Sequence, residues 1–256
     1  MSVLNRIVER TRAEVTARVN DEVFQRLERE VRPSDRSFAD ALRGPDLSLI
    51  AEFKPRSPSK GEIRPGARVA SVAPLYARFA CAMSVLCDAV DFGGGPHLLG
   101  EASVVCTLPL LYKGFVVSEA QVLEARVAGA HGILLMASVL DDATLAACHK
   151  RATELGMSPL VEVHSQEELD RVLPMAPAVI GVNRRDLHTL EFDTDRMFAL
   201  LEQIPSGVVR VAESGFNTSE DVDAVRGRAD AVLIGSAFMG ASDIEAAIRG
   251  MGWHQK

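Results

Sequence analysis

Hydrophobic and polar positions along the chain follow two regimes. Over the segment 1–45, Leu4, Ile7, Val8, Thr11 and Val15 recur at three- and four-residue steps with charges between them, which predicts an amphipathic helical extension outside the main fold. Beyond it, short apolar runs alternate with longer amphipathic stretches. The runs cover 47–53, 83–87, 108–112, 132–136, 159–163, 178–182, 208–212 and 231–234, eight in all. Successive apolar positions without alternation predict strands buried on both faces, as in a parallel sheet. Helix-like stretches fall at 118–128, 141–155, 165–173, 194–202 and 219–225. Strand–helix alternation implies right-handed βαβ units, and eight of them predict a closed (β/α)8 TIM barrel; a doubly wound open sheet is the competitor. The whole chain, 1–256, reads as a single domain, close to the roughly 250 residues of such a barrel. The segment SPSKGEIRPG, 57–66, is a Pro-, Ser- and Gly-rich loop longer than an ordinary βα turn, and loops of that kind tend to carry function.

Composition narrows the partners. The net charge is −7 with no Lys/Arg run to offset it, which argues against nucleic acid but leaves an anionic small molecule open. No apolar run is long enough to span a bilayer, and MSVLNRIVERTRAEVTARVN lacks the apolar core of a secretory signal, so a cytoplasmic location is expected. Cys81, Cys87, Cys106 and Cys148 form no CxxC pair and read as reduced core thiols. His97, His131, His149, His164, His188 and His254 show no metal-ligand spacing and are expected in surface or cap roles; Trp253 is expected to pack.

In a barrel of this kind chemistry sits where the strands end. The first strand ends in Glu52 and Lys54, two apart and hence on one side. The third ends in Lys113; the fifth carries Glu162; the sixth ends in Asn183 with Arg185 beyond; the seventh ends in Glu213 and Ser214. Any one of these reads equally well as a solvated charge, but their convergence on one mouth does not. Glu213-Ser214-Gly215 and Ile234-Gly235-Ser236 follow strands seven and eight, where barrels often bind phosphate through backbone N–H groups and a helix start.

Here the residues resemble a known family. AEFKPRSPSKG at 51–61, YKGFVVSEAQVLEARVAGAHGILLMASVL, PLVEVHSQEELDRVL, VIGVNRRDLHTLEFD, VAESGF and AVLIGSAFMGASDIEAAI are similar to the signatures of indole-3-glycerol phosphate synthases, and the N-terminal VLNRIVERTRAEV is similar to that family's leading helices. The resemblance implies a cofactor-free and metal-free lyase of tryptophan biosynthesis. It would convert 1-(o-carboxyphenylamino)-1-deoxyribulose 5-phosphate to indole-3-glycerol phosphate, carbon dioxide and water. It further implies Lys113 as general acid and Glu162 as its partner acid or base. Lys54 would reach the phosphate and the reacting end, and Glu52, Asn183 and Glu213 would hold lysines and sugar hydroxyls. Arg185 would lie on the anthranilate carboxylate side, Ser57 and Phe92 at substrate-loop positions, and Ser214, Gly215, Gly235 and Ser236 at the phosphate. The family is often monomeric, so a monomer or weak homo-oligomer is expected.

The chain departs from the family pattern at the mouth. Gly114 follows Lys113 where Asp is usual, and Pro55 follows Lys54 where a basic residue is usual. In DAVDFGGGPHLLG the surroundings of Phe92 differ, with Val90, Asp91 and Gly95 at the altered positions. Two alternatives follow: a paralogue of the same barrel with another substrate, and a non-catalytic phosphate-binding homologue. Retention of Glu52, Lys54, Lys113 and Glu162 speaks against the second.

Overall fold

A computed structural model describes residues 2–185 and 191–255; Asp186 and Leu187 of the GVNRRDL motif, and His188, lie outside the described residues. Eight strands, numbered here in chain order, form the sheet: β1 (Ser48–Phe53), β2 (Ala82–Leu86), β3 (Leu110–Lys113), β4 (Gly132–Met136), β5 (Ser158–Val163), β6 (Val179–Asn183), β7 (Val209–Glu213) and β8 (Ala231–Ile234). All neighbours are parallel, and β1 pairs with both β2 and β8, so the sheet is a closed barrel rather than an open one.

The register explains the mouth. Side chains alternate across a strand, so positions two apart share a face. Ile50, Leu111, Leu160, Val179, Val211 and Leu233 pack together as an apolar plug inside the barrel. Two residues on from five of them stand Glu52, Lys113, Glu162, Glu213 and Gly235; two residues on from Val179 stands Gly181 and, after it, Asn183. The polar layer thus rests on an apolar floor. Phe38 closes the bottom, fully buried, against Gly132, where a Cβ would stand 2.8 Å from the ring.

The N-terminal helical extension is divided into three helices. It forms α1 (Val3–Arg18), α2 (Asp21–Glu30) and the short α3 (Phe38–Ala41). Asn20 caps α2, its side chain accepting from the Val23 amide, and Pro33 lies in the non-helical stretch before α3. The remaining helices are α4 (Val69–Ala77), α5 (Ala89–Phe92), α6 (Pro96–Val105), α7 (Glu119–Val127), α8 (Asp142–Glu154), α9 (Gln166–Val172), α10 (Thr194–Leu201), α11 (Ser219–Asp223), α12 (Ser236–Gly240) and α13 (Ile244–Gly250). The 57–66 loop is more ordered than its composition predicts: Arg56–Ser57 pairs antiparallel with Gly61–Glu62. Strand three begins at Leu110, not at residue 108, and runs on to Lys113.

Two histidines expected at the surface or at caps are buried instead. His131 Nδ1 accepts the Leu110 amide at 3.0 Å, because the residue enters β4 beside the start of β3. His164 follows β5 and continues the inward alternation of Leu160 and Glu162. His97 and His254 are exposed, and Trp253 packs, its indole N–H 3.4 Å from the Leu47 carbonyl. All four cysteines are free. Among the described residues no helix is long and apolar enough to cross a membrane.

Candidate active site

Lys113 rises from β3 into a ring of carboxylates. Its Nζ lies 3.4 Å from Glu213 Oε2, 3.9 Å from Glu52 Oε2 and 3.9 Å from Glu162 Oε2. The three glutamates are only 2%, 1% and 1% exposed for Glu52, Glu162 and Glu213. Lys54 Nζ stands 2.7 Å from the other oxygen of Glu52. Ser84 Oγ is 3.4 Å from Glu52 Oε2, and the Tyr76 hydroxyl donates to the Glu52 carbonyl at 3.2 Å, fixing the strand from outside.

Burying an ion costs several kcal/mol, but two unit charges about 4 Å apart attract by about 4 kcal/mol at an effective dielectric of about 20. Three such neighbours decide the balance at Lys113: burial pulls its pKa down, Glu213, Glu52 and Glu162 push it up, and the lysine ends above its ordinary value. Burial alone would raise Glu52, yet Lys54 and Lys113 hold it below the usual carboxylate range. Glu213 goes the other way. Burial, then the charge of Glu162, raises it to about 8 against the opposing pull of Lys113. The layer therefore sets a charged amine within 3.9 Å of one carboxyl group held below its ordinary pKa and another held above it, a contrast suited to moving protons.

His164 backs this layer. Its Nε2 is 3.3 Å from Glu162 Oε1 and its Nδ1 is 3.4 Å from Glu168 Oε2, with the His164 amide donating to the same Glu168 oxygen at 2.7 Å. Burial lowers the imidazole pKa, but the bond to Glu168 and the charge of Glu162 outweigh it, and the ring is held above its ordinary value.

A pocket of about 130 Å³ opens beside Lys113, lined among others by Glu52, Lys54, Lys60, Arg185 and Glu213, and by Ser214, Gly215, Gly235 and Ser236. That is below the roughly 300–1,000 Å³ of whole-ligand sites, and suits one end of a ligand. Ser214 and Gly215 are both left-handed, with φ of 72° and 77°. Such a conformation in a non-glycine residue stores strain and is concentrated at functional loops. A larger depression of about 700 Å³ lies at the opposite end of the barrel, but its charges are already engaged: Arg210 pairs with Asp230 at 3.0 Å and Arg43 donates to the Gly207 carbonyl at 2.8 Å. The ring of buried charges lies at the smaller pocket.

Four of the expected site residues stand off the pocket wall. Glu162 sits behind Lys113. Asn183 is buried, its Oδ1 accepting the Arg185 amide at 3.0 Å. Ser57 is buried and accepts the Lys60 amide at 3.2 Å. Phe92 packs on Phe115, ring centroids 5.9 Å apart. Its neighbourhood explains one departure: Arg10 of α1 pairs with both Asp88 and Asp91, and Arg6 reaches Asp91 at 2.6 Å, so Asp91 anchors the N-terminal helix to the loop that carries Phe92. Sequence reasoning missed Arg184, Phe192, Gly181 and His164. For His164 the inward alternation of β5 was the available signal. Among the described residues no group of three or more His, Cys, Asp or Glu side chains is arranged to hold a metal ion.

Comparison with known proteins agrees with the geometry. The family model for indole-3-glycerol phosphate synthase matches residues 4–251. Indole-3-glycerol phosphate synthase 2 of Streptomyces coelicolor is 44% identical over 221 residues, covering 86% of each chain. The indole-3-glycerol phosphate synthase of Polaromonas naphthalenivorans is 40% identical over 249 residues, 94% of this chain and 95% of that one. Among solved structures, a 3-hexulose-6-phosphate synthase superposes with a TM-score of 0.64 at 18% identity over 80% of this chain and 98% of the other, a likeness of fold alone. The chain belongs to the indole-3-glycerol phosphate synthase family.

Proposed function

We propose that the mouth of this barrel closes the indole ring of 1-(o-carboxyphenylamino)-1-deoxyribulose 5-phosphate, releasing carbon dioxide and water. The observation that carries the reading is Lys113 Nζ within 3.9 Å of three buried carboxylates, beside a pocket floored by Ser214–Gly215 and Gly235–Ser236. The phosphate occupies the β7 and β8 loops, with Lys54 near it. Arg185 faces the anthranilate carboxylate, and Ser57 and Phe92 border the substrate loops.

Lys113 protonates the ketone oxygen as the aromatic carbon attacks, so that no oxyanion is left unpaired in the interior. Loss of carbon dioxide returns the electron pair to the ring and restores aromaticity without an electron sink. Dehydration then needs a proton delivered to the departing hydroxyl and one removed from the neighbouring position; Glu162 and Lys113 stand as that pair. Glu52, Asn183 and Glu213 hold the lysines and sugar hydroxyls. The reading extends to one barrel domain with residues 1–45 as its extension, acting in the cytoplasm as a monomer or weak homo-oligomer. The family match over residues 4–251 favours it over an altered substrate or a non-catalytic binder.

Mixing the purified protein with the carboxyphenylamino-deoxyribulose phosphate tests it. Indole fluorescence should appear with wild type. Lys113→Ala, folded by circular dichroism, should lose about 10²–10⁴ in kcat, the usual worth of a positioned acid. No turnover by wild type, or an unchanged kcat in the variant, overturns the assignment.

A further inference from the structure

Arg184 does not line the pocket, although its neighbours Asn183 and Arg185 belong to the site. The residue is 7% exposed, and its side chain crosses from the end of β6 to the loop after β7. One terminal nitrogen donates to the Gly215 carbonyl, and the other is 3.4 Å from Asp221 Oδ1 and 3.4 Å from Thr194 Oγ1. The guanidinium stacks on two rings, 5.1 Å from the centroid of Phe192 and 5.1 Å from that of Phe216. The Phe192 ring in turn carries Arg185, 4.4 Å from its centroid. Phe216, Arg184, Phe192 and Arg185 thus form a continuous row of alternating rings and cations.

The row fits tightly over the loop. A Cβ at position 215 would stand 2.4 Å from Arg184 and 2.8 Å from Phe192, so only glycine is admitted there. Asp221, the anionic partner of Arg184, also accepts the Asn217 and Thr218 amides at 2.9 and 3.1 Å. The left-handed pair Ser214–Gly215 is therefore held from three directions, as strained backbone must be if it is to persist. A planar guanidinium can stack on rings while donating from its edge; a lysine ammonium cannot do both.

We propose that Arg184 is a positioning residue for the phosphate end of the substrate: it fixes Ser214–Gly215 against the pocket and, through Phe192, sets the place of Arg185. The proposal rests on the phosphate reading of the β7 and β8 loops. Phosphate binding and substrate KM should both respond to Arg184, whereas kcat, governed by the Lys113 layer, should respond little.

Isothermal titration of wild type, Arg184→Gln and Arg184→Lys with inorganic phosphate, together with steady-state kinetics, tests it. Arg184→Gln should weaken phosphate and raise KM by about tenfold or more, with kcat within about threefold, since loop placement acts on binding. Arg184→Lys, which keeps the charge and loses the stack, should recover only part of the loss. If Arg184→Gln fails to fold, Arg184→Lys alone decides, and wild-type phosphate affinity in it overturns the proposal. Equal affinity in wild type and Arg184→Gln overturns the role of Arg184 and leaves the phosphate site standing. No phosphate binding by wild type removes the phosphate site itself.

Discussion

Gly181 on β6 leaves open the space that the Glu213 carboxylate on β7 fills: a Cβ at position 181 would stand 2.1 Å from Glu213 Oε1. Glu213 is also the carboxylate nearest Lys113 Nζ. Gly181→Ala must therefore displace the Glu213 carboxylate from its place beside Lys113. A displacement of about 1 Å costs on the order of 10²-fold in rate. We expect kcat to fall by about 10–10²-fold with the protein still folded. Wild-type kcat in a folded Gly181→Ala would show that Glu213 need not stand where it does.

His164 is expected to make the rate sensitive to pH. The groups facing it are Glu162, Glu168 and, lowering its pKa, Arg196 of α10. Because its pKa is held above 6.5, the ring is an imidazolium at the lower end of the working range and loses its charge as pH rises through that raised value. Glu162 then loses a neighbouring cation. The kcat profile of wild type should bend above pH 6.5, and His164→Gln should remove that bend while leaving KM nearly unchanged. Superimposable profiles would place His164 outside the proton chemistry.

His131 acts on stability instead, with the opposite sign. Burial, then Arg126 and Arg36, lowers its pKa from 6.5 to about 4. Its Nδ1 already accepts the Leu110 amide, so a proton there would break that bond. Between pH 6.5 and about 4 the unfolded chain takes up the proton and the native one does not. Stability is thus full above pH 6.5 and declines as the pH falls through this window, by about 1–3 kcal/mol. Melting at about pH 7.5 and about pH 5 should show a smaller loss in His131→Gln than in wild type, although that variant starts from a lower Tm. Equal losses would remove His131 as the cause.

Gly114 is the departure that most directly adjoins Lys113. The obstacle to Asp there is steric: a Cβ would stand 2.9 Å from the Tyr112 ring and 3.4 Å from Cys87 Cβ. Tyr112 is buried and cannot swing into solvent. Gly114→Asp should therefore cost about 1–3 kcal/mol of stability, as overpacking does, and lower kcat by dragging on β3. A higher kcat at unchanged Tm would show instead that the missing carboxylate limits this protein.

The barrel was legible because its strands are buried on both faces and write themselves as unbroken apolar runs, as at 231–234. The carboxylate layer was legible too, since Glu52, Lys113, Glu162 and Glu213 lie at or within one residue of strand ends. What stayed hidden depends on space rather than on residue type. Nothing in a strand reading VIGVN marks Gly181 as the room for a carboxylate from the next strand. Arg184 reads as one more loop cation until Phe192 and Phe216 are brought to it from two different loops. Asp91 reads as one more altered position beside Phe92 until Arg6 and Arg10 arrive from a helix far away in sequence.

The pairing of β1 with β8 has a consequence for biosynthesis of the protein itself. Glu52 is among the first site residues to leave the ribosome, yet its carboxylate rests against Gly235, where a Cβ would stand 2.5 Å from Oε1, and its strand is bonded along one edge only to the last strand made. A nascent chain without β8 leaves that wall of the Glu52 carboxylate open and one edge of β1 unpaired, although Lys54, Ser84 and Lys113 are already made. The enclosure of the cluster that would move protons is complete only when this strand closes the ring.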